Sequence, residues 1–245
     1  MKSNLKISLL VLLLVIVLSG CSLVYKVLLG VDTKPNWSTD KHITSQAKKY
    51  KIPEEFNLIQ DTVGYYEELK VIYQSKFDEV EIIDGDSTDY FKLHRIYNDD
   101  FQPVQFRLFD NEGTEIFKMV NCYVDPPIPM NWNVGGCFDN FPAKTNIESL
   151  NTHFFGLEVL LENASFLNST KLTMEELPNS DYYGVIIWND FFKRPSKKLI
   201  KTVQKYVQKR IEKVTLIYIY NHNSYLWYSI DSDTRMKVKE ASNNK

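Results

Sequence analysis

The chain has no excess of basic residues, with 29 Lys and Arg against 31 Asp and Glu. A nucleic-acid binder would show a strong basic surplus, so that class is excluded. Glycine is scarce, at 9 of 245 residues, while aromatics are plentiful, which excludes a disordered spacer. Cysteine is limited to Cys21, Cys122 and Cys137, and no two of them form a CxxC pair. The thiolate-activating spacing of a disulfide oxidoreductase is therefore missing. The histidines, His42, His94, His153 and His222, are scattered. None has the i, i+4 spacing of a metal-binding helix or a matching cysteine pair nearby, so no metal is expected. There is no G-x-S-x-G elbow and no Walker sequence. Asp84, Asp86 and Asp89 lack the order and downstream Glu of a calcium loop. No catalytic residue, cofactor or metal ligand is assigned from the sequence.

What is present begins at the N-terminus. Lys2 and Lys6 precede an apolar segment from Ile7 to Leu18 that is broken only by Ser8, and Leu18-Ser19-Gly20-Cys21 closes it. A basic leader, a short apolar region and small residues before a cut are the parts of a secretory signal. The apolar run falls short of the about 20 residues that span a bilayer. Leu18-Ser19-Gly20-Cys21 resembles the lipobox of bacterial lipoproteins. That resemblance implies cleavage after Gly20, a diacylglycerol thioether on Cys21 and, usually, a further acyl chain on its new amine. Two chains anchor stably where one binds marginally. The alternative, an uncleaved anchor from Ile7 to Val31, places Lys26 inside the span and leaves Gly20-Cys21 without a reason. Either reading puts the body outside the cytoplasm, on the cell membrane or outer membrane, facing the periplasm or the exterior. Ser22, where an aspartate would signal retention, favours the outer membrane in a cell that has one.

Cleavage removes two lysines and no acid, taking the net charge from −2 to −4. The 225 residues that remain suffice for one large domain or two small ones. Cys122 and Cys137 lie 15 positions apart in what would be an oxidising compartment, so a structural disulfide is expected. Closing that loop would stabilise by up to about 3 kcal/mol. Two buried free thiols are the alternative.

Along the body, Ser22 to about His42 has no clear period and reads as a tether. Thr44–Lys51 suggests a short helix ended by Pro53, and Phe56–Ile59 a strand. From Asp61 the spacing of Val63, Tyr66, Leu69, Tyr73 and Phe77 predicts a helix, capped by Asp61 or Thr62. Glu79–Ile83 and Tyr90–Tyr97 read as strands. Val104–Phe109 and Thr114–Val124 form a hairpin around Asp110-Asn111-Glu112-Gly113. The stretch Phe56–Val124 is thus expected to form an antiparallel sheet with the helix across one face.

Asp125–Pro142 is rich in proline and carries Trp132, Phe138 and Phe141. It is either a packed loop or a recognition surface, and these three aromatics are its candidate contacts. Ile147–Leu161 is helical or mixed, and Thr173-Met174-Glu175-Glu176 fits a capping box. Tyr182–Trp188 and Val214–Tyr220 are buried-type strands flanking a helix that runs from Pro195 to about Ile211. Together they make a βαβ unit. With Ile186-Ile187-Trp188 as its core strand, the unit resembles the start of a thioredoxin-like fold. Phe191–Pro195 stands where the redox motif would fall and holds no cysteine, so the resemblance implies at most a non-redox relative. The helix is also strongly basic, with Glu212 the first acid after it. Its exposed side could be a solvated face or could meet anionic headgroups. Asn221-His222-Asn223, at the end of a parallel-type strand, is where α/β sites often lie, though turn chemistry explains it equally well.

The expected architecture is α+β, tending to α/β in the C-terminal part. Its parts are a signal peptide (1–20), a lipidated tether (21–43), an α+β region (44–145), and a helical connection with the βαβ unit and a disordered tail (146–245). The expected role is a non-catalytic binding or envelope-assembly module, held on the membrane by lipid and meeting an envelope protein. The alternatives are an envelope hydrolase whose site assembles only in the fold, and a redox partner using Cys122 and Cys137.

Overall fold

The computed structural model of the protein describes residues 37–80, 88–124, 131–222 and 232–243. Helix α1 (Asp40–Tyr50) is capped by Thr39, whose side chain accepts the His42 amide. Strand β1 (Asn57–Gln60) leads into α2 (Thr62–Glu79), where the Asp61 carboxylate accepts the Gly64 amide. Helix α3 (Thr88–Asp100) precedes the hairpin of β2 (Gln105–Asp110) and β3 (Glu115–Val120). The short helix α4 (Leu157–Glu162) and the two-residue strand β4 (Ala164–Ser165) follow. Strand β5 (Tyr182–Trp188), helix α5 (Lys193–Val207) and strand β6 (Val214–Tyr220) complete the sheet, and α6 (Ser232–Asn243) ends the described chain.

The six strands form one mixed sheet in the order β3-β2-β5-β6-β1-β4. The expected βαβ unit is present, with β5 and β6 parallel along their length from Tyr182–Val214 to Trp188–Tyr220. The hairpin is present too, and β2 pairs antiparallel with β5. Strand β1 does not join the hairpin. It pairs parallel with β6 and antiparallel with β4. The sequence division at residue 145 is therefore crossed by the sheet itself, because β5 and β6 stand between β2 and β1.

Apolar layers cover both faces. On one, α1 and α5 pack Ile43, Tyr50, Leu199 and Val203 against Phe106, Ile186, Trp188 and Tyr220. On the other, α2, α3 and α4 pack Tyr66, Leu69, Ile96 and Leu160 against Val185, Ile187, Ile217 and Ile219. Runs buried on both sides explain why β5 and β6 lack alternation.

Three expectations of local structure also need correction. Tyr90–Tyr97 is helix, not strand: Leu93 and Ile96 are buried toward α2 at helical spacing, and packing overrides the strand preference of the aromatics. Glu79 ends α2 instead of starting a strand, and 81–83 lie outside the described residues. The C-terminal tail, expected to be disordered, is helical from Ser232 to Asn243. Among the described residues no helix is long and apolar enough to cross a membrane, and Cys21 with the segment expected to be a signal peptide lies outside them.

Candidate functional site

The hairpin turn sets the geometry. Asp110 uses one carboxylate oxygen to accept the amides of Glu112 and Thr114, at 3.0 and 2.8 Å. Gly113 takes φ +83, which a side chain would strain. A register shift between Leu108 and Phe109 then places Glu115 opposite Phe109. The turn is docked from outside by the Leu157 amide, which donates to the Gly113 carbonyl at 2.9 Å.

Below the turn, Arg107 of β2 and Lys118 of β3 are cross-strand partners, two cations side by side and both fully buried. Like charges directly opposite destabilise a sheet, and burial adds a desolvation cost. Asp100, the last residue of α3, resolves the conflict. Its Oδ1 accepts from Arg107 at 2.6 Å and from Lys118 at 2.7 Å, and its other oxygen accepts the Tyr73 hydroxyl. Glu115 supplies the second carboxylate, 2.7 Å from Arg107, and Gln105 accepts the Arg107 Nε–H at 2.8 Å. The Arg107 guanidinium also lies over the Phe155 ring, 4.6 Å from its centroid. Two buried cations thus meet two buried carboxylates, and the four charges balance within the network.

Burial alone would raise the Asp100 carboxyl, yet the charges of Arg107 and Lys118 outweigh it and hold it below its usual value. Burial likewise works against the charged form of Arg107, and Glu115 and Asp100 overcome it and raise its pKa. The Tyr73 hydroxyl is pushed well up, first by burial and then by Asp100, so it stays a donor.

The network reaches the surface at one described point. His153 Nδ1 lies 2.7 Å from Glu115 Oε2, and the ring is partly exposed. An ionised carboxylate only accepts, so the Nδ1 position carries the proton and a neutral ring presents Nε2 as an acceptor. His153 and Glu115 line a cleft of about 430 Å³, together with Glu112, Glu158, Phe154 and Met174. Its rim carries exposed carboxylates and no thiol or serine, and Thr114 has the one hydroxyl in the lining. A comparable groove of about 400 Å³ beside β6, lined by Lys51, Glu55, Gln204 and Tyr218, has no such buried charged pair behind it.

The sequence-selected residues fall elsewhere. Trp132 and Phe138 are core residues, which overturns their reading as contacts. The Trp132 indole N–H donates to the Pro195 carbonyl at 3.2 Å, and Phe138 packs among Phe106, Phe117 and Tyr206. Phe141 is half-buried, edge-on to Tyr182 and under the Arg210 guanidinium. Of the loop, residues 125–130 lie outside the described residues. Cys122 and Cys137 are both free thiols, contrary to the expected disulfide. Their surroundings separate them. The Cys122 thiol donates to the Asp99 carboxylate at 3.5 Å, while that of Cys137 donates to the Trp132 carbonyl at 3.4 Å. Burial raises both thiols to about 12, with Asp99 adding to the effect at Cys122.

At the strand ends, the Asn221 side chain donates to the Pro103 carbonyl at 2.8 Å and accepts from Asn189 at 2.9 Å. His222 is buried and stacked on Trp37 with ring centroids 3.5 Å apart. His42 pairs with Asp190 at 2.6 Å, and the Tyr220 hydroxyl donates to Ser38 at 2.7 Å. These bonds fasten the beginning of the described chain to the ends of β5 and β6. Asn223 lies outside the described residues.

Asp100, Arg107, Glu115, Lys118 and His153 were not singled out from the sequence. The available signal was the placing of each cation between large apolar neighbours, Arg107 between Phe106 and Leu108 and Lys118 between Phe117 and Met119. Among the described residues no group of three His, Cys, Asp or Glu side chains could hold a metal ion. Comparison with protein-family models, with curated proteins and with solved structures finds no match.

Proposed function

We propose that the chain is a lipid-anchored extracytoplasmic binding module whose ligand seat is the cleft at His153. The lipobox-like Leu18-Ser19-Gly20-Cys21 supports the anchor. The observation that carries the binding role is the pairing of His153 with Glu115, whose other oxygen is fixed by Arg107. A buried ion network costs folding energy that apolar packing would not, and here it holds one ring at the wall of a cleft. Glu112 and Glu158 on the rim favour a ligand bearing a positive charge or several hydrogen-bond donors. An envelope protein presenting a lysine or arginine to this cleft satisfies the same chemistry.

Two experiments test the two halves. Metabolic labelling with an alkynyl fatty acid should mark the wild-type chain and not Cys21→Ala; an unlabelled wild type removes the anchor. Thermal-shift titration with amine-bearing and anionic small molecules should show stabilisation by the amines alone. That stabilisation should vanish in Glu112→Gln/Glu158→Gln, whose exposed positions leave the fold intact. Equal responses to both ligand classes would remove the cleft as the seat.

The Glu115–His153 pair also favours a second reading, an envelope hydrolase with His153 as the general base and Glu115 orienting it. Under that reading His153→Gln abolishes turnover of ester or amide reporters while ligand stabilisation persists. Unpaired cysteines, with both thiols raised well above the thiolate range, speak against the redox-partner alternative.

A further inference from the structure

We propose that the α1–α5 layer lies against an anionic membrane surface, with lipid phosphates held at Lys205, Lys209 and Arg210. The proposal rests on the anchoring reading above, since the anchor is what brings this layer to a membrane. From Lys193 to Ile211 the chain contains no acid. Helix α5 buries Leu199, Ile200, Val203 and Tyr206 and leaves Lys197, Lys201 and Lys205 exposed on the opposite side, with Lys209 exposed just beyond its C-terminal end. The three on the helix succeed one another every four residues, so they form one ridge. None of the four is paired with a carboxylate among the described residues.

Helix α1 runs beside it: the Gln204 amide donates to the backbone carbonyls of Tyr50 and Lys51, at 3.5 and 3.3 Å. It adds exposed Lys48 and Lys49, with Lys51 as its cap, while its first turn exposes Asp40 beside Lys41. On the other side of the sheet acids outnumber bases, with Glu67, Asp78, Glu79, Asp89, Glu158 and Glu162 exposed on α2, α3 and α4 against Lys70, Lys92 and Arg95. A chain of net charge −2 is thus polarised into a basic layer and an acidic one.

Two further features favour a lipid surface over a soluble anion. A cleft of about 480 Å³ beside α5 is lined by Asn133, Asp139, Thr202, Lys205, Lys209 and Arg210. Arg210 is held in place there by bonds to the Tyr206 and Phe138 carbonyls, and one oxygen of Asp139, the single acid against three cations in this lining, accepts from Asn133 at 2.8 Å. Next to it, Ile211 is fully exposed between Arg210 and Glu212-Lys213. An apolar tip among cations suits the headgroup boundary, where it sinks while the cations meet phosphates. The described chain also begins on this layer, at Trp37 against His222, 16 positions after Cys21. Even fully extended, that spacing limits the layer to about 55 Å from the lipid.

The test is lysine acylation footprinting of the full lipidated chain in vesicles of phosphatidylcholine alone or with phosphatidylglycerol as about a third of the lipid. Lys197, Lys201, Lys205 and Lys209 should be protected severalfold by phosphatidylglycerol, while Lys70, Lys76 and Lys92 label equally in both. About 0.5 M salt should restore labelling, and Lys201→Glu/Lys205→Glu should lose the protection. Equal labelling of the α5 lysines in both vesicles, with the chain still bound, overturns the docking. So does protection of Lys205 and Lys209 by inorganic phosphate without vesicles, which would make this a soluble-anion site. A chain that stays off neutral vesicles removes the anchor instead, and phosphatidylglycerol-dependent protection then still decides the docking.

Discussion

Glu115 and His153, 38 positions apart in the chain, meet at 2.7 Å where the buried network ends and the cleft begins. The carboxylate belongs to a sheet strand and the ring to an irregular segment beside it. Rigid strands therefore aim a side chain that the loop alone would leave free to rotate. The properties of the site should follow from the ions behind this pair.

Arg107→Ala should be among the most destabilising substitutions in the protein. It leaves Asp100 and Glu115 buried without their shared cation, which typically costs about 3–5 kcal/mol. Urea denaturation should show that loss with a nearly unchanged m value. Lys70→Ala, at an exposed pair with Glu67, should change stability by less than about 0.5 kcal/mol.

The acid limb of stability should depend on Asp100. Its folded-state pKa is lowered, so its contribution is complete above the unfolded carboxylate value of about 3.9 and is lost as pH falls through the lower folded value. Asp100→Asn should be less stable at pH 7 and should lose less on acidification. Denaturation midpoints between about pH 2 and pH 6 would show the flatter limb; parallel curves would contradict the account.

Cys122 and Cys137 should resist alkylation in the native chain. With both thiols near 12, the thiolate fraction at about pH 8 is on the order of a thousandfold below that of an ordinary cysteine. Denaturation without reductant should let the reagent label both, Cys137 by uncovering it and Cys122, already exposed, by freeing its thiol from Asp99. Failure of both to label in the unfolded, unreduced chain would mean that they are joined.

Trp132→Ala should act through stability and not through a partner. The indole is buried and its N–H bonded to Pro195, so its removal should cost about 3–5 kcal/mol. Calorimetry should record a large drop in Tm. A fall in binding with Tm unchanged would return this residue to the surface.

The sequence shows those elements whose signals are local. The β2–β3 hairpin follows from Gly113 and the alternation on either side of it, and the β5–α5–β6 unit from two apolar runs flanking an amphipathic helix. Helix α3 escapes because its aromatics favour strand locally, while the packing of Leu93 and Ile96 on α2 is a tertiary fact. The place of β1 escapes because four residues cannot say which strand they will pair with, and Ile59 finds Tyr220 across most of the chain. The site is hidden for a related reason. Arg107 and Lys118 betray burial only once both faces of the sheet are known to be covered. The approach of His153 to Glu115 depends on the docking of Leu157 against Gly113, which no periodicity encodes.

An open sheet exposes its outermost strands to other copies of itself. One end here is β4, two residues long, too short to template a neighbour. The other is β3, where the Glu148–Asn151 turn packs and where Glu115 and Lys118 are committed inward to the ion network. Inward charges on an edge strand make edge-to-edge pairing unfavourable. Under the proposed lipid anchoring, chains would share a plane and meet far more often than in solution. The same ions that position His153 would therefore keep a crowded population of these molecules from aggregating strand to strand.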